Sequence, residues 1–292
     1  MVPELEKLVN SMLAKGEITG HFRELLLKKA EALEIDLIDF ELELELKIAD
    51  GKTVAEPATS TTFKDKTGQK PGPQTPIPIE WAEIPAGTFM MGSPANEADR
   101  RGNETQHQVT LSAFFMSKYA ITFELYDAYC DEMGLEKPDD AGWGRKKHPV
   151  INVSWYDANC FARWIGCRLP TEAEWEYACR AGTTTPFNTG SKINKHDANI
   201  ESEKTLPVGL FNPNGWGLYE MHGNVWEWCA DWFGDYSIKS QTNPQGPSNG
   251  SERVLRGGCW NRYADYCRSA NRDNSAPDDR FRSVGFRLIS SR

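Results

Sequence analysis

Arg168-Leu-Pro-Thr-Glu-Ala-Glu-Trp-Glu-Tyr-Ala178 decides how the main body of this chain is read. Thr171 with Glu174 three residues on is a capping box: each side chain satisfies a backbone N–H of the other at a helix start. The stretch predicts a helix from Thr171 to about Ala181, with Trp175 and Tyr177 turned inward. Ser154 is a second N-cap and predicts a helix to Ile165; a third helical pattern runs from Thr122 to Met133. Around these helices, residues 79–292 offer short strand patterns and long stretches dense in Gly, Pro, Asn and Trp. The fold class expected is α+β with much irregular structure. Irregular backbone is stable only when its polar groups find internal partners, so Asn, Asp and Trp side chains are expected to do that here.

Upstream, residues 1–50 read as a helical N-terminal unit. Leu5, Leu8, Val9 and Leu13 recur at helical spacing, and Leu25, Leu26, Leu27, Ala30 and Leu33 form a second stripe. The tract from Phe40 to Ile48 also alternates with period two, but its Glu, Leu and Lys favour a third helix. So small a unit is expected to pack on something, by self-association or on a partner. Residues 51–78, rich in Thr, Ser, Lys, Gly and Pro, read as a linker.

The chain has 292 residues and a formal charge of -9, which argues against general nucleic-acid binding. It starts on an acidic stretch without a signal-peptide pattern, and no run is apolar enough to span a membrane, so a cytoplasmic location is expected. The seven cysteines show neither CxxC pairs nor a metal spacing and read as free, mostly buried thiols. The ten tryptophans suit a loop-rich domain held by aromatics.

The last forty residues are unlike the rest. From Arg253 to Arg292 there is no Lys, Glu, Gln or Met, yet nine arginines stand among Asn, Asp, Ser and Tyr. The segment has rigid ends, Arg256-Gly257-Gly258 and Val284-Gly285-Phe286-Arg287-Leu288. Its interior, 261–283, is polar and aromatic like a binding loop. The local excess of arginine over aspartate leaves a basic face possible, one suited to shaped recognition of carboxylates, aromatics or protein surfaces.

Several motifs in 79–292 occur in family order: Glu83-Ile-Pro-Ala-Gly-Thr-Phe-Met-Met-Gly92, Pro149-Val-Ile-Asn-Val-Ser-Trp155, the 168–178 stretch, Asn214-Gly-Trp-Gly-Leu-Tyr219, Gly223-Asn-Val-Trp-Glu-Trp228, Arg253-Val-Leu-Arg-Gly-Gly258 and Gly285-Phe-Arg-Leu288. Together they resemble the formylglycine-generating enzyme (sulfatase-modifying factor) superfamily, whose fold is a variant of the C-type lectin fold. The resemblance implies a calcium ion held by Asn199, Ile200, Asn224, Val225 and Glu227, oxygen donors that suit it; no cofactor is otherwise required. The family's oxidase binds copper(I) with two C-terminal cysteines. Here the first of those positions falls near Arg262. Cys259 and Cys267 are the remaining pair, and they define the alternative reading, a formylglycine-generating-type copper oxidase. No catalytic residue is assigned under the main reading.

That reading follows from a second resemblance. Arg-Gly-Gly-Cys-Trp at 256–260, the Asn-rich residues after it, and Cys267-Arg-Ser-Ala-Asn-Arg272 are similar to the variable proteins of diversity-generating retroelements. There, template adenines are randomised, so Asn codons become Tyr, Asp, Ser, Arg, Phe, Cys, His, Gly, Ala or Thr but never Lys, Glu, Gln, Met or Trp. The resemblance implies a variable region of about 253–288 with ligand-binding, diversified sites at Asn261, Arg262, Tyr263, Asp265, Tyr266, Asp273, Asn274, Ser275, Asp279, Phe281, Arg282 and Ser283, and weaker ones at Cys259, Asn271 and Ala276. Trp260, Ala264, Arg268, Ser269, Ala270, Arg272, Pro277 and Gly285 are the fixed frame. The expected function is a receptor for a protein or other macromolecule. Tyr263, Tyr266 and Phe281 are its anchors, and Arg262, Arg280 and Arg282 pair with acidic or aromatic groups of the ligand.

Overall fold

The computed structural model describes residues 78–290 together with Val9 and Leu44. The chain divides into two compact units, Met1–Lys70 and Pro71–Arg292. Val9 and Leu44 are helical and buried; the rest of the N-terminal reading, and most of the linker, lies outside the described residues.

Among its described residues the second unit is α+β, with three short helices and three small sheets. In chain order its elements are β1 (Trp81–Ile84), β2 (Gly87–Met91), β3 (His107–Leu111), β4 (Phe114–Ser117), α1 (Phe123–Met133), α2 (Trp155–Trp164), α3 (Glu172–Arg180), β5 (Trp226–Trp232), β6 (Gln241–Thr242), β7 (Arg253–Arg256), a 3-10 turn (Ala264–Cys267), β8 (Asp273–Ser275), β9 (Val284–Gly285) and β10 (Ile289–Ser290). One sheet has the order β1-β4-β10, so strands from the two ends of the domain pair with the same neighbour; the second is β2-β3-β6 and the third β8-β7-β5-β9. Strand β3 shows why these short pieces hold: His107, Val109 and Leu111 are buried while Gln108 and Thr110 face out, the period-two alternation of a half-buried strand.

The helices start where their caps place them. Thr171 accepts from the Glu174 N–H and Glu174 accepts from the Thr171 N–H, and Ser154 and Asp157 do the same for α2. Helix α3 is buried on all sides, charged residues included. Trp175 is enclosed in the core with Ala173, Ala178, Leu218, Met221 and Val254. Its indole N–H donates to Glu227 at 2.7 Å. Trp155 and Trp228 donate to the carbonyls of Cys229 and Val153 at 2.8 and 3.1 Å. Each such ring removes roughly 2–3 kcal/mol worth of apolar surface from water without stranding its one donor. The seven cysteines are all free thiols. Among the described residues no helix is long and apolar enough to cross a membrane.

Candidate functional site

The segment between β7 and β9 leaves the third sheet, crosses the surface and returns. Its departure is made by Gly257 and Gly258, with φ of 97° and 73°. At Gly258 a Cβ would lie 2.3 Å from the Cys267 sulfur, so the turn needs glycine for space as well as for backbone conformation. Its return is set by β9, which pairs in parallel with β5 through Trp226↔Val284 and Glu227↔Gly285. Between these ends only β8 is a regular strand, paired with β7 from Leu255↔Asp273 to Arg253↔Ser275.

Buried arginines hold the rest. Arg256 donates to the carbonyls of Ser269, Ala270 and Asn271 and pairs with Glu176. Arg268 forms a bidentate pair with Glu104 at 2.6 and 2.8 Å, pairs with Glu97 at 2.7 Å, and reaches the carbonyls of Asp99 and Asp265. Arg272 takes Glu172 bidentately at 2.6 and 2.9 Å and donates to the carbonyls of Asn103 and Gly234. Arg287 takes Glu227 at 2.6 and 2.8 Å and donates to the carbonyls of Ser117, Lys118 and Tyr219. The planar five-donor guanidinium suits such positions, since one edge meets a carboxylate while the remaining donors close orphan carbonyls of irregular backbone. Burial alone would raise the Glu172 carboxyl; Arg272 and Arg256 overcome that and hold it below its usual value. Arg253 stacks on Trp155 and Trp232 at 3.8 and 3.4 Å.

This corrects the expectation of a basic face. Five of the segment's arginines, at 253, 256, 268, 272 and 287, are buried, and Arg280 pairs with Asp157 at 2.7 Å. Arg262 and Arg282 are the exposed pair whose guanidiniums meet no carboxylate within 4.0 Å among the described residues.

The candidate ligand-binding residues divide by exposure. Asn261, Arg262, Tyr263, Phe281 and Arg282 are exposed, with Tyr263 at 68 % and Phe281 at 43 %. Asp265, Tyr266, Asp273, Asn274, Ser275, Ala276, Asp279 and Ser283 are half-buried. Cys259 and Asn271 are enclosed, at 1 % and 0 %, and offer a ligand nothing. Asn271 sits inside because its side-chain amide donates to the Tyr266 carbonyl at 2.8 Å, bracing the loop from within. Among the frame residues, Trp260, Arg268, Ser269, Ala270, Arg272 and Gly285 are buried, while Ala264 and Pro277 are half-buried. Trp260 ties the two limbs of the segment together: its indole N–H donates to the Arg282 carbonyl at 3.3 Å.

Residues far away in sequence complete the face. The Glu201 and Ser202 N–H groups donate to the carbonyls of Arg262 and Trp260 at 3.0 and 2.6 Å, and the Asn152 N–H to that of Phe281 at 3.0 Å. Trp143 meets Trp260 edge-on at 5.2 Å. Arg101 lies over the Tyr266 ring at 4.3 Å. Nothing in the sequence singled out Arg101 or Trp143, because only the fold brings them to this segment.

Three of the residues expected to hold calcium, Asn199, Asn224 and Glu227, are engaged within the protein. Both Glu227 oxygens are taken by Arg287, and Trp175 adds a further bond. The Asn224 amide is closed on Leu206: its oxygen accepts from the Leu206 N–H and also from Asn199, and its nitrogen donates to the Leu206 carbonyl. The Asn199 carbonyl accepts from the Asn224 N–H.

Of the two thiols of the alternative reading, Cys259 contacts the Asn261 side-chain oxygen at 3.0 Å. Burial pushes its pKa up to about 11, and burial followed by the neighbouring Cys259 raises Cys267 further. Both residues are enclosed, and burial favours the thiol over the thiolate in each.

Known proteins share this architecture. Residues 69–292 match the sulfatase-modifying factor enzyme 1-like domain. The chain belongs to that family. Its curated relatives include the serine/threonine-protein kinase pkn1 of Chlamydia pneumoniae, 37 % identical over 82 % of this chain and 42 % of the relative. The formylglycine-generating enzyme of Mus musculus is 31 % identical over 76 % of this chain and 78 % of the enzyme. The chain thus spans about two fifths of the kinase and over three quarters of the enzyme. Two solved structures superpose well. PvdO from Pseudomonas aeruginosa has a TM-score of 0.68 and 31 % identity, covering 72 % of this chain and 94 % of its own. Treponema denticola variable protein 1 has a TM-score of 0.64 and 28 % identity, covering 76 % and 98 %. The fold thus places this chain beside both PvdO and a variable protein.

Proposed function

We propose that this chain is a ligand-binding receptor whose C-terminal segment, about 259–283, displays diversified side chains on a rigid lectin-like scaffold, the diversity being produced by a retroelement. One observation carries the reading. Thirteen of the fifteen residues assigned to diversified sites are exposed or half-buried, whereas six of the eight frame residues are buried, pinned by buried guanidiniums. Side chains that change between siblings must not be needed for folding, and Asn261, Arg262, Tyr263, Phe281 and Arg282 meet that condition. The filtered alphabet after Arg253 and the likeness to a variable protein point the same way.

The residues on this face suit recognition of a macromolecule. Tyr263 and Phe281 supply large area with few rotors, and Arg262 and Arg282 supply multi-donor contacts. The ligand is a protein or other macromolecule, differing from one sibling to the next.

The test is the DNA flanking the gene. A nearby reverse transcriptase, with a near-copy of the 3′ end that differs only at adenines, is the expected result. A gene with neither, in every close relative, overturns the diversified reading.

The enzymatic reading, a copper oxidase built on Cys259 and Cys267, draws on the formylglycine-generating relatives. It requires copper(I) to be held by two thiolates that burial disfavours, and is checked by copper(I) titration against the Cys259→Ser and Cys267→Ser variants.

A further inference from the structure

The binding face has two fixed neighbours. Arg101 comes from the loop between β2 and β3, and that loop is clamped to the segment: Arg268 holds Glu97, the Asp99 carbonyl and Glu104, and Ser93 donates to Glu104 at 2.7 Å. From this anchored base Arg101 lies over Tyr266 and approaches Asp265 to 3.8 Å. Arg262 lies against the same ring at 5.1 Å. On the other side, Trp143 packs edge-on against buried Trp260, and Arg282 lies 5.9 and 6.0 Å from the two indole rings. Trp143 sits in a turn fixed by Asp139 and Asp140, whose carboxylates accept from the N–H groups of Ala141 and Gly142.

The polar inventory of the face is one-sided. Its carboxylates are mostly engaged: Asp279 by Ser275 and the Ala276 N–H, Asp273 by the Asn274 N–H, Asp157 by Arg280, and Asp265 by Arg101. Asp278 is the exposed exception. Of the guanidiniums, Arg280 and Arg101 face Asp157 and Asp265, while Arg262 and Arg282 rest on aromatic rings without a carboxylate among the described residues. What the face lacks is acceptors of hydrogen bonds from planar cations, and a carboxylate supplies them bidentately.

We infer that Arg101 and Trp143, which lie outside the diversified segment, are permanent ligand-contacting residues of this face, and that together with Arg262 and Arg282 they fit a protein surface bearing carboxylates. Each does two things. It pre-organises a neighbouring diversified side chain, Tyr266 or Arg282, which lowers the ordering cost of binding. It also offers the ligand a contact that does not vary between siblings. The inference rests on the receptor reading above, and the experiment separates the two.

The full chain is displayed as a library randomised at Asn261, Arg262, Tyr263, Asp265, Tyr266, Phe281 and Arg282, in three frames: unaltered, Arg101→Ala, and Trp143→Ala, with Trp143→Phe as a control that keeps a ring. Each is selected against ovalbumin, an acidic probe, and lysozyme, a basic one. The expected result is binders to ovalbumin from the unaltered frame, enriched for an aromatic at 266 and for Arg at 262 or 282. At least tenfold fewer are expected from the two alanine frames at equal display of folded protein, with recovery in Trp143→Phe. Equal yields from all frames overturn the role of Arg101 and Trp143 and leave the receptor reading standing. A preference for lysozyme overturns the carboxylate assignment. No binders to either probe from any frame overturns the receptor reading itself.

Discussion

Arg256 and Glu176 meet in the interior, both without solvent exposure, and the guanidinium that neutralises Glu176 also closes the backbone carbonyls of Ser269, Ala270 and Asn271. Electrostatics and loop shape are thus a single interaction. Helix α3 supplies the carboxylate, β7 supplies the arginine, and the loop beneath the exposed residues of the 259–283 segment is fixed between them.

Breaking that pair from one side strands a buried charge. Arg256→Met is expected to cost about 3–5 kcal/mol in denaturant unfolding. Arg256→Lys is expected to fall close to it, because an ammonium cannot reach three carbonyls and a carboxylate at once. A lysine variant as stable as the natural protein would refute the role given to the guanidinium.

Gly258→Ala tests the turn that opens the segment. The added Cβ meets the Cys267 sulfur and the backbone sits at positive φ, so strain and overpacking combine to a loss of about 2–4 kcal/mol. Pairing it with Cys267→Ala, which removes the clashing sulfur, should recover part of that loss in a double-mutant comparison. No recovery would place the whole penalty in the backbone.

The pH dependence of stability has opposing contributors. Burial, followed by the neighbouring Glu172, raises the Asp231 carboxyl to about 7. A raised folded value means that its contribution is complete below its ordinary value and lost as pH rises through 7. Burial lowers the His222 pKa to about 4, so that group withdraws stability as pH falls from about 6.5 towards 4. Glu172, held low by its arginines, does so only at more acid pH. Asp231→Asn keeps an acceptor for the Glu172 N–H, which Asp231 binds at 2.8 Å. It should therefore flatten the fall in melting temperature between pH 5 and 8 and leave the acid limb unchanged. An unaltered slope in the variant would show that Asp231 is not the group titrating.

Calcium supplies a simple check. With Glu227 engaged by Arg287 and Trp175, and Asn224 closed on Leu206, millimolar calcium or a chelator should leave the melting temperature unmoved. A chelator-dependent drop of several degrees would mean that these side chains rearrange around an ion.

Much of the fold is legible in the sequence alone. The N-cap at Ser154 and the capping box at Thr171 place two helices to within a residue, because their signal is local. The arginines are visible there but misleading: their partners Glu97, Glu104, Glu172, Glu176 and Glu227 lie tens to well over a hundred residues away, and no local pattern tells a buried guanidinium from a displayed one. Cys259 and Asn271 are drawn into the face by the chemistry of codons, which does not distinguish inside from outside. Arg101 and Trp143 are invisible for the opposite reason, since nothing in their own neighbourhood marks them.

If the face varies while the frame does not, the two sets of residues must differ in what the fold demands of them. The most direct measurement compares two display libraries of the full chain, one fully randomised at Asn261, Arg262, Tyr263, Phe281 and Arg282, the other at Arg268, Ser269, Ala270, Asn271 and Arg272, each scored for the fraction that resists proteolysis. Most members of the first library should fold and almost none of the second. Similar fractions in the two would contradict a variable face on a fixed frame, because the exposed residues would then matter to the fold as much as the buried ones.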